Sequence, residues 1–127
     1  LDALVSDHAP IDADAKTLPF AEALPGASSI ELLLSLALHW GEQSGLTRAQ
    51  ALAPVTTHAA RVLGRQASLQ PGAPADLVLL DAAARWTVRE EALISAGQCT
   101  PFAFQRSGLE LPGKVLGTWV AGRRVFG

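Results

Sequence analysis

The chain has 127 residues and a mass of 13.3 kDa, with 49% hydrophobic and 17% charged residues and a formal net charge of −2. Its length suits one domain and is too short for a complete eight-stranded β/α barrel of about 250 residues. The composition excludes a disordered chain, and the weak negative charge excludes an extended basic surface for nucleic acid or an anionic membrane.

The composition also bears on the origin and location of the chain. The sequence has no Met and begins with Leu1, so we expect a piece of a longer protein. Its single cysteine, Cys99, excludes an intrachain disulfide and suits a reducing cytoplasm, and we expect a structural role for it. The longest apolar run, residues 30–38, is far shorter than the roughly 20 residues that span a bilayer. We therefore expect a cytoplasmic protein with neither a membrane nor a nucleic acid as partner.

The first third of the chain predicts a strand, a loop and a helix. The apolar run Leu1–Val5 precedes a polar segment, as in a buried strand that presents polar residues at its carboxyl end. A long, partly irregular loop follows over residues 11–26. Ser28 and Glu31 then fit a capping box, which predicts a helix that continues to about Gln43.

Two shorter helices are predicted next. Gly45 is a typical helix stop, and Thr47–Gln50 opens a second helix by the same capping pattern, which Pro54 limits. A third helix covers roughly Thr57–Leu63, and Gly64 stands where a C-terminal glycine belongs.

The second half predicts short strands. The apolar runs are Leu77–Leu80, which Asp81 ends, Trp86–Val88, Val115–Val120 and Arg123–Phe126. Ala121-Gly122, between the last two runs, predicts a two-residue hairpin turn. A stretch rich in Gly, Pro and Gln near residues 66–74 separates the two patterns. We therefore divide the α/β chain into a helical part, residues 1–66, and a β part, residues 67–127.

The pair Asp7-His8 is the sharpest candidate for chemistry. A carboxylate at the carboxyl end of a barrel strand is where catalytic groups of such folds sit, and Asp is an oxygen ligand for zinc. An Asp-His pair is also common in turns and caps, and it does not make a zinc site alone, since zinc takes three or four ligands. His39 and His58 lie on predicted helices, so most ligands of any metal at Asp7 would come from outside this chain.

Several motifs, in order along the whole chain, resemble the C-terminal third of the dihydroorotases, a branch of the amidohydrolase superfamily. In the first half these are Val5-Ser6-Asp7-His8-Ala9-Pro10, Lys16, Pro19-Phe20-Ala21-Glu22, Pro25-Gly26, Ile30-Glu31 with the Leu-rich helix, and the helix Thr57–Gly64. In the second half they are Gly72–Asp81, Ser95, Thr100-Pro101-Phe102, Gly113-Lys114-Val115, Thr118 and Val120-Ala121-Gly122-Arg123.

The resemblance implies a fold and a function. The chain would hold the last strand and helices of a metal-dependent hydrolase TIM barrel, followed by part of a small composite β-sandwich domain. The reaction would be the zinc-dependent, reversible closure of N-carbamoyl-L-aspartate to dihydroorotate in pyrimidine biosynthesis. Asp7 would bind zinc and move the proton, and Pro25 and Gly26 would border the substrate. The other metal ligands would lie upstream, outside this chain.

One position departs from the pattern of that family. The dihydroorotases read Asp-His-Ala-Pro-His, and the final His helps to hold the substrate carboxylate, whereas this chain has Ile11 there. Loss of one hydrogen bond to a charged group costs about 1.5–3 kcal/mol, or roughly ten- to a hundred-fold in binding. We therefore expect an impaired or inactive enzyme.

Two alternatives remain open. A non-catalytic homologue would serve as a structural subunit that scaffolds aspartate carbamoyltransferase. A related cyclic amidohydrolase, such as a hydantoinase or allantoinase, would also use an aspartate at this strand. In each case we expect the isolated chain to be inactive and to need the remainder of its own polypeptide, or further copies of itself, for stability, because a lone barrel strand exposes unpaired backbone groups.

Overall fold

The computed structural model describes residues 1–103 and 108–127. Within these ranges, helices α1 (Leu33–Gln43), α2 (Arg48–Leu52) and α3 (Thr57–Val62) precede strands β1 (Leu77–Thr87), β2 (Glu110–Val120) and β3 (Arg123–Phe126). Single 3₁₀ turns lie at Ala13–Lys16, Ala53–Val55 and Glu90–Ala92. The predicted α/β class is confirmed. In the part of the chain that the structure describes, no helix is both long and apolar enough to cross a membrane.

The predicted strand over Leu1–Val5 is wrong for this chain. Residues 1–10 have no regular secondary structure, and Leu1 and Val5 are 69% and 80% exposed. The segment is tied down through its backbone at Leu4, whose N–H donates to the Pro54 carbonyl at 3.0 Å. A strand forms by pairing with another strand, and the sheet of the described residues consists of β1, β2 and β3 only.

The predicted capping box of α1 is also wrong. The helix begins at Leu33, and its N-cap position is Leu32, which provides no side-chain cap. The Ser28 hydroxyl donates instead to the Gly97 carbonyl, and the Glu31 carboxylate accepts backbone hydrogen bonds from the segment after β1. These distant partners use the two side chains that a local cap would need, and so the helix starts one turn later.

The other helix boundaries follow local rules. Helix α1 ends at Gln43 and is followed by Gly45 with φ +66°, as predicted. The predicted capping box of α2 is confirmed: the Thr47 hydroxyl accepts the Gln50 N–H, and the Gln50 side chain accepts the Thr47 N–H. Helix α3 is followed by Gly64, with φ +67°.

The sheet has the antiparallel order β1-β2-β3. The two strands predicted around Asp81 are one strand, with an irregular register between Asp81 and Arg85. Asp81 does not end it, because its carboxylate accepts the N–H groups of Ala83 and Ala84 at 2.9 and 3.2 Å and so satisfies the backbone of the bulge. The predicted hairpin between β2 and β3 is confirmed.

Helix α1 packs on the sheet. Leu32 forms the core together with Val88, Leu93 and Leu111. Polar contacts join the same layers, since the Ser35 hydroxyl donates to the Gly113 carbonyl at 3.1 Å. The helical and β parts therefore share one core, and their division into two domains at residue 66 stays a prediction.

Candidate functional site

Asp7, the predicted metal ligand and catalytic carboxylate, is exposed in the irregular first segment. Its backbone has φ +46°, in the left-handed region that non-glycine residues rarely adopt. Asp tolerates this region better than most residues, but the conformation still costs on the order of 1 kcal/mol. A conformation of this kind persists where neighbouring contacts impose it.

Both residues that flank Asp7 are bonded to the turn before α1. The Ser29 hydroxyl donates to the Ser6 carbonyl at 2.5 Å. On the other side, the Nδ1 atom of His8 accepts the backbone N–H groups of Ser29 at 3.1 Å and Ile30 at 3.3 Å. These bonds hold the chain before and after Asp7, while Asp7 itself stays exposed.

Pro25 and Gly26, the predicted substrate-binding residues, lie beside the same segment. The Ala9 N–H donates to the Ala27 carbonyl at 3.1 Å. Gly26 has φ +132°, and a Cβ atom added to it would lie 2.5 Å from the Ala9 carbonyl oxygen. This close approach brings Gly26 next to the segment that carries Asp7, and the adjacent Pro25 is exposed.

Lys16 closes the loop that leads to Gly26. Its ammonium group donates to the carbonyl oxygens of Leu24 at 2.6 Å and Gly26 at 2.7 Å. Hydrogen bonds from a charged donor are stronger than those between neutral groups. Lys16 therefore fixes the backbone of this loop.

Ile11 is half-buried and borders a cavity of about 410 Å³, which Lys16, Glu90 and Cys99 also line. Its apolar side chain thus stands between the Gly26 loop and the segment after β1. A larger cavity of about 650 Å³ lies between α1 and the sheet, but Asp7, Pro25 and Gly26 are not among its lining residues. None of these three residues lines the smaller cavity either, but Ile11 and Lys16, which lie next to Gly26, do.

Glu31 connects this region to the segment after β1. Its carboxylate accepts the backbone N–H groups of Ile94 at 2.8 Å and Ser95 at 2.7 Å. Burial acts to raise the pKa of Glu31, but the hydrogen bonds from Ile94 and Ser95 are the main opposing effect, and the pKa lies below the usual 4.5. Glu31 is therefore a carboxylate at neutral pH.

Comparison with known proteins identifies the family. The amidohydrolase family model matches residues 3–126. The chain belongs to the amidohydrolase family. It is 35% identical over 127 residues to a dihydroorotase of Geobacter metallireducens, covering 99% of this chain and 29% of that protein. It is 39% identical over 126 residues to a dihydroorotase of Anaeromyxobacter dehalogenans strain 2CP-1, covering 98% of this chain and 28% of that protein.

Solved amidohydrolase structures share the fold. A D-hydantoinase (dihydropyrimidinase) from Thermus sp. matches with a TM-score of 0.82 and 25% identity, over 99% of this chain and 28% of that one. A dihydropyrimidinase from Brevibacillus agri NCHU1002 matches with a TM-score of 0.79 and 23% identity, and the match covers 98% of this chain and 28% of that one. The amidohydrolase chain described here spans less than a third of the length of these relatives.

Asp7 fits a metal site as one oxygen ligand, but the described residues of this amidohydrolase chain do not complete the site. Within residues 1–103 and 108–127, no group of three or more His, Cys, Asp and Glu side chains is placed to hold a metal ion. His39 lies on α1, and the Nδ1 atom of His58 on α3 is 3.3 Å from the Leu1 carbonyl oxygen. Zinc needs three or four ligands, so the others would have to come from outside the described residues.

Sequence reasoning missed Ser29. The Ser28-Ser29 pair before an apolar run is typical of a helix N-cap, and this local pattern hides the bonds from Ser29 to Ser6 and His8. These bonds span more than 20 residues, so no local spacing rule predicts them. The only hint in the sequence is that Asp7 has a polar residue on each side, Ser6 and His8, which can form hydrogen bonds with another segment.

Proposed function

We propose that this chain contributes to a cyclic amidohydrolase that interconverts N-carbamoyl-L-aspartate and dihydroorotate in pyrimidine biosynthesis in the cytoplasm. The observation that carries the proposal is the exposed Asp7 carboxylate, held in a left-handed conformation beside the Gly26 loop. The 35–39% identity to proteins named dihydroorotase supports this substrate.

In the proposed mechanism, Asp7 would hold zinc as one of its oxygen ligands, and its carboxylate transfers a proton. Zinc, when bound, makes water a better nucleophile by lowering its pKa. In the hydrolytic direction, the water oxygen bonds to the ring amide carbon, the ring C–N bond breaks, and Asp7 carries the proton released by the water to the leaving nitrogen. Backbone groups of Pro25 and Gly26 border the substrate, and Lys16 keeps that loop in place through its bonds to the loop carbonyls.

Ile11 weakens the grip on the substrate in this proposal. It offers neither a hydrogen bond nor a charge to a substrate carboxylate, and a carboxylate desolvated against an apolar side chain is costly. We therefore propose that the enzyme is impaired. The same half-buried apolar side chain favours the second candidate, a non-catalytic subunit that scaffolds aspartate carbamoyltransferase.

The test is dihydroorotate hydrolysis by the whole protein with zinc supplied, measured beside the Ile11→His variant. We expect slow turnover, and a rise of roughly ten- to a hundred-fold in kcat/KM for the variant, because the new imidazole can bind the carboxylate. Absence of turnover and of bound zinc in both proteins would contradict the enzymatic proposal. Capture of aspartate carbamoyltransferase by the unmodified protein would then support the structural subunit.

A third candidate, a hydantoinase-like activity, is favoured by the fit to the Thermus D-hydantoinase, whose TM-score is 0.82. The hydrolysis assay, repeated with hydantoin and dihydropyrimidine rings as substrates, separates this candidate from a dihydroorotase, because these rings lack the ring carboxylate of dihydroorotate. Faster hydrolysis of those rings than of dihydroorotate by the unmodified protein would favour this candidate.

A further inference from the structure

The geometry points to Ser29 and His8 as positioning residues that hold Asp7 in its left-handed conformation and so direct its carboxylate. The part of this inference that concerns zinc binding and catalysis by Asp7 rests on the proposed function. Its structural part, that these two side chains impose the backbone conformation of Asp7, can be tested without any activity.

The argument begins with the bonds that bracket Asp7. The Ser29 hydroxyl holds the carbonyl of residue 6, which belongs to the peptide unit immediately before Asp7. The Ser29 and Ile30 N–H groups hold the imidazole of residue 8, immediately after it. Because one short turn binds both neighbours, little backbone freedom remains at Asp7, and the left-handed φ is the conformation observed there.

The role of His8 follows from its acceptor atom. Nδ1 accepts two backbone N–H groups, so in the neutral ring the proton is on Nε2. The Nδ1 lone pair is used in these bonds and cannot also bind a metal. His8 thus acts on the site through the position of Asp7, although it is adjacent to Asp7 in sequence.

The turn that carries these donors is itself anchored. The Ser28 N–H donates to the Cys99 carbonyl at 2.8 Å, and Glu31 binds the backbone at Ile94 and Ser95. The donors to the Asp7 segment therefore extend from a fixed support. Because the turn is fixed in this way, its hydrogen bonds also fix the position of the residues on either side of Asp7.

The experiment compares matched pairs of variants of the whole protein. Ser29→Val removes the hydroxyl and Ser29→Thr, of nearly the same shape, keeps it, whereas His8→Leu removes the acceptor and His8→Asn provides one. Ser44→Ala and His39→Leu, remote from Asp7 in the sequence, are the controls. The measurements are the φ angle of Asp7 in crystal structures, the zinc affinity by chelator competition, and kcat/KM for dihydroorotate.

We expect Asp7 to leave the left-handed region in Ser29→Val and His8→Leu, with zinc affinity and kcat/KM each reduced roughly ten- to a hundred-fold. The Ser29→Thr and His8→Asn proteins should keep most of the zinc affinity and most of the kcat/KM of the unmodified protein. If Asp7 keeps its positive φ and its zinc affinity in a Ser29→Val/His8→Leu double variant, the inference is overturned. If either removal variant fails to fold, loss of the positive φ in the folded Ser29→Thr or His8→Asn protein would also overturn it.

These outcomes are distinguishable from a failure of the proposed function. An unmodified protein that binds no zinc and hydrolyses no dihydroorotate would contradict the proposed function. The φ angle of Asp7 in the variants would still decide whether Ser29 and His8 position it.

Discussion

Glu31 is a residue whose protonation state affects the stability of the fold. Its pKa is lowered in the folded protein, so its stabilising contribution is fully present above the unfolded pKa, near 4.5, and is lost as the pH falls through the lower folded pKa. We expect Glu31→Gln to reduce the free energy of unfolding by roughly 1–2 kcal/mol at pH 7, because the amide is a weaker acceptor for Ile94 and Ser95. Urea titrations of both proteins from pH 7 to pH 3 measure this.

The difference between the two proteins should shrink as the pH falls below 4.5 and through the lower folded pKa of Glu31. A difference that stays constant over that range would mean that charge on Glu31 does not stabilise the segment after β1.

Gly26 offers a test of the close approach beside Asp7. We expect Gly26→Ala to destabilise the protein by about 1–3 kcal/mol more than Gly72→Ala, because a methyl group at Gly26 meets the Ala9 carbonyl and Ile11. Gly72 is the matched control: it also has a positive φ, +91°, but an added Cβ would meet nothing within 4 Å. The measurement is the urea midpoint of each variant. Equal effects would show that the contact with Ala9 carries no cost.

At the scale of the element, the start of α2 depends on two neighbouring side chains. We expect Thr47→Ala to cost about 1 kcal/mol, since it leaves the Gln50 N–H without its acceptor. Thr47→Ser keeps the hydroxyl and should cost much less. Chemical denaturation of the two variants compares them, and equal losses would rule out the hydroxyl as the source of stability.

The elements that sequence patterns predicted well are those whose partners lie within a few residues. The capping box at Thr47 is one case, and the turn at Ala121-Gly122 is another, with φ values of +50° and +78° that fit a type I′ hairpin. Predictions failed where a distant segment competes for the same groups. Ser28 and Glu31 bind residues after β1 in place of a local cap, and Leu1–Val5 pairs with none of the three strands of the described sheet.

In the candidate site, too, the sequence predicted some of the residues but not the contacts between distant segments. A local pattern selected Asp7, and family resemblance added Pro25 and Gly26. The proximity of Gly26 to Ala9, and the bonds from Ser29, depend on how the loop before α1 folds back. No spacing rule contains that information.

At the scale of the whole molecule, the chain exposes more surface than a compact protein of its size. Its accessible surface is 8837 Å², whereas a folded monomer of 13.3 kDa exposes about 6,500 Å². Much of it is apolar, with Phe20 fully exposed and Val5, Leu69 and Ile94 each at least 79% exposed. The excess, roughly 2,300 Å², exceeds the surface that one partner buries in a standard interface, about 800 Å².

We therefore expect the 127-residue chain, produced alone, to self-associate. Sedimentation velocity across a concentration series, with thermal unfolding of the same samples, measures this. A monodisperse monomer with one cooperative unfolding transition would contradict the expectation.

The bonds that join the turn before α1 to the segment after β1 also bear on what happens if the chain is cut. Residues 63–72, which follow α3 in the connection to β1, are all exposed and accessible to a protease. Cleavage there would leave Ser28 bound to Gly97 and Cys99, Glu31 bound to Ile94 and Ser95, and α1 packed on the sheet. We expect the two pieces of the nicked protein to co-elute on native gel filtration and to separate only in denaturant. The helical and β parts would then act as complementing halves, so the connection between them could be opened, lengthened or moved to new termini while the Asp7 loop kept its support.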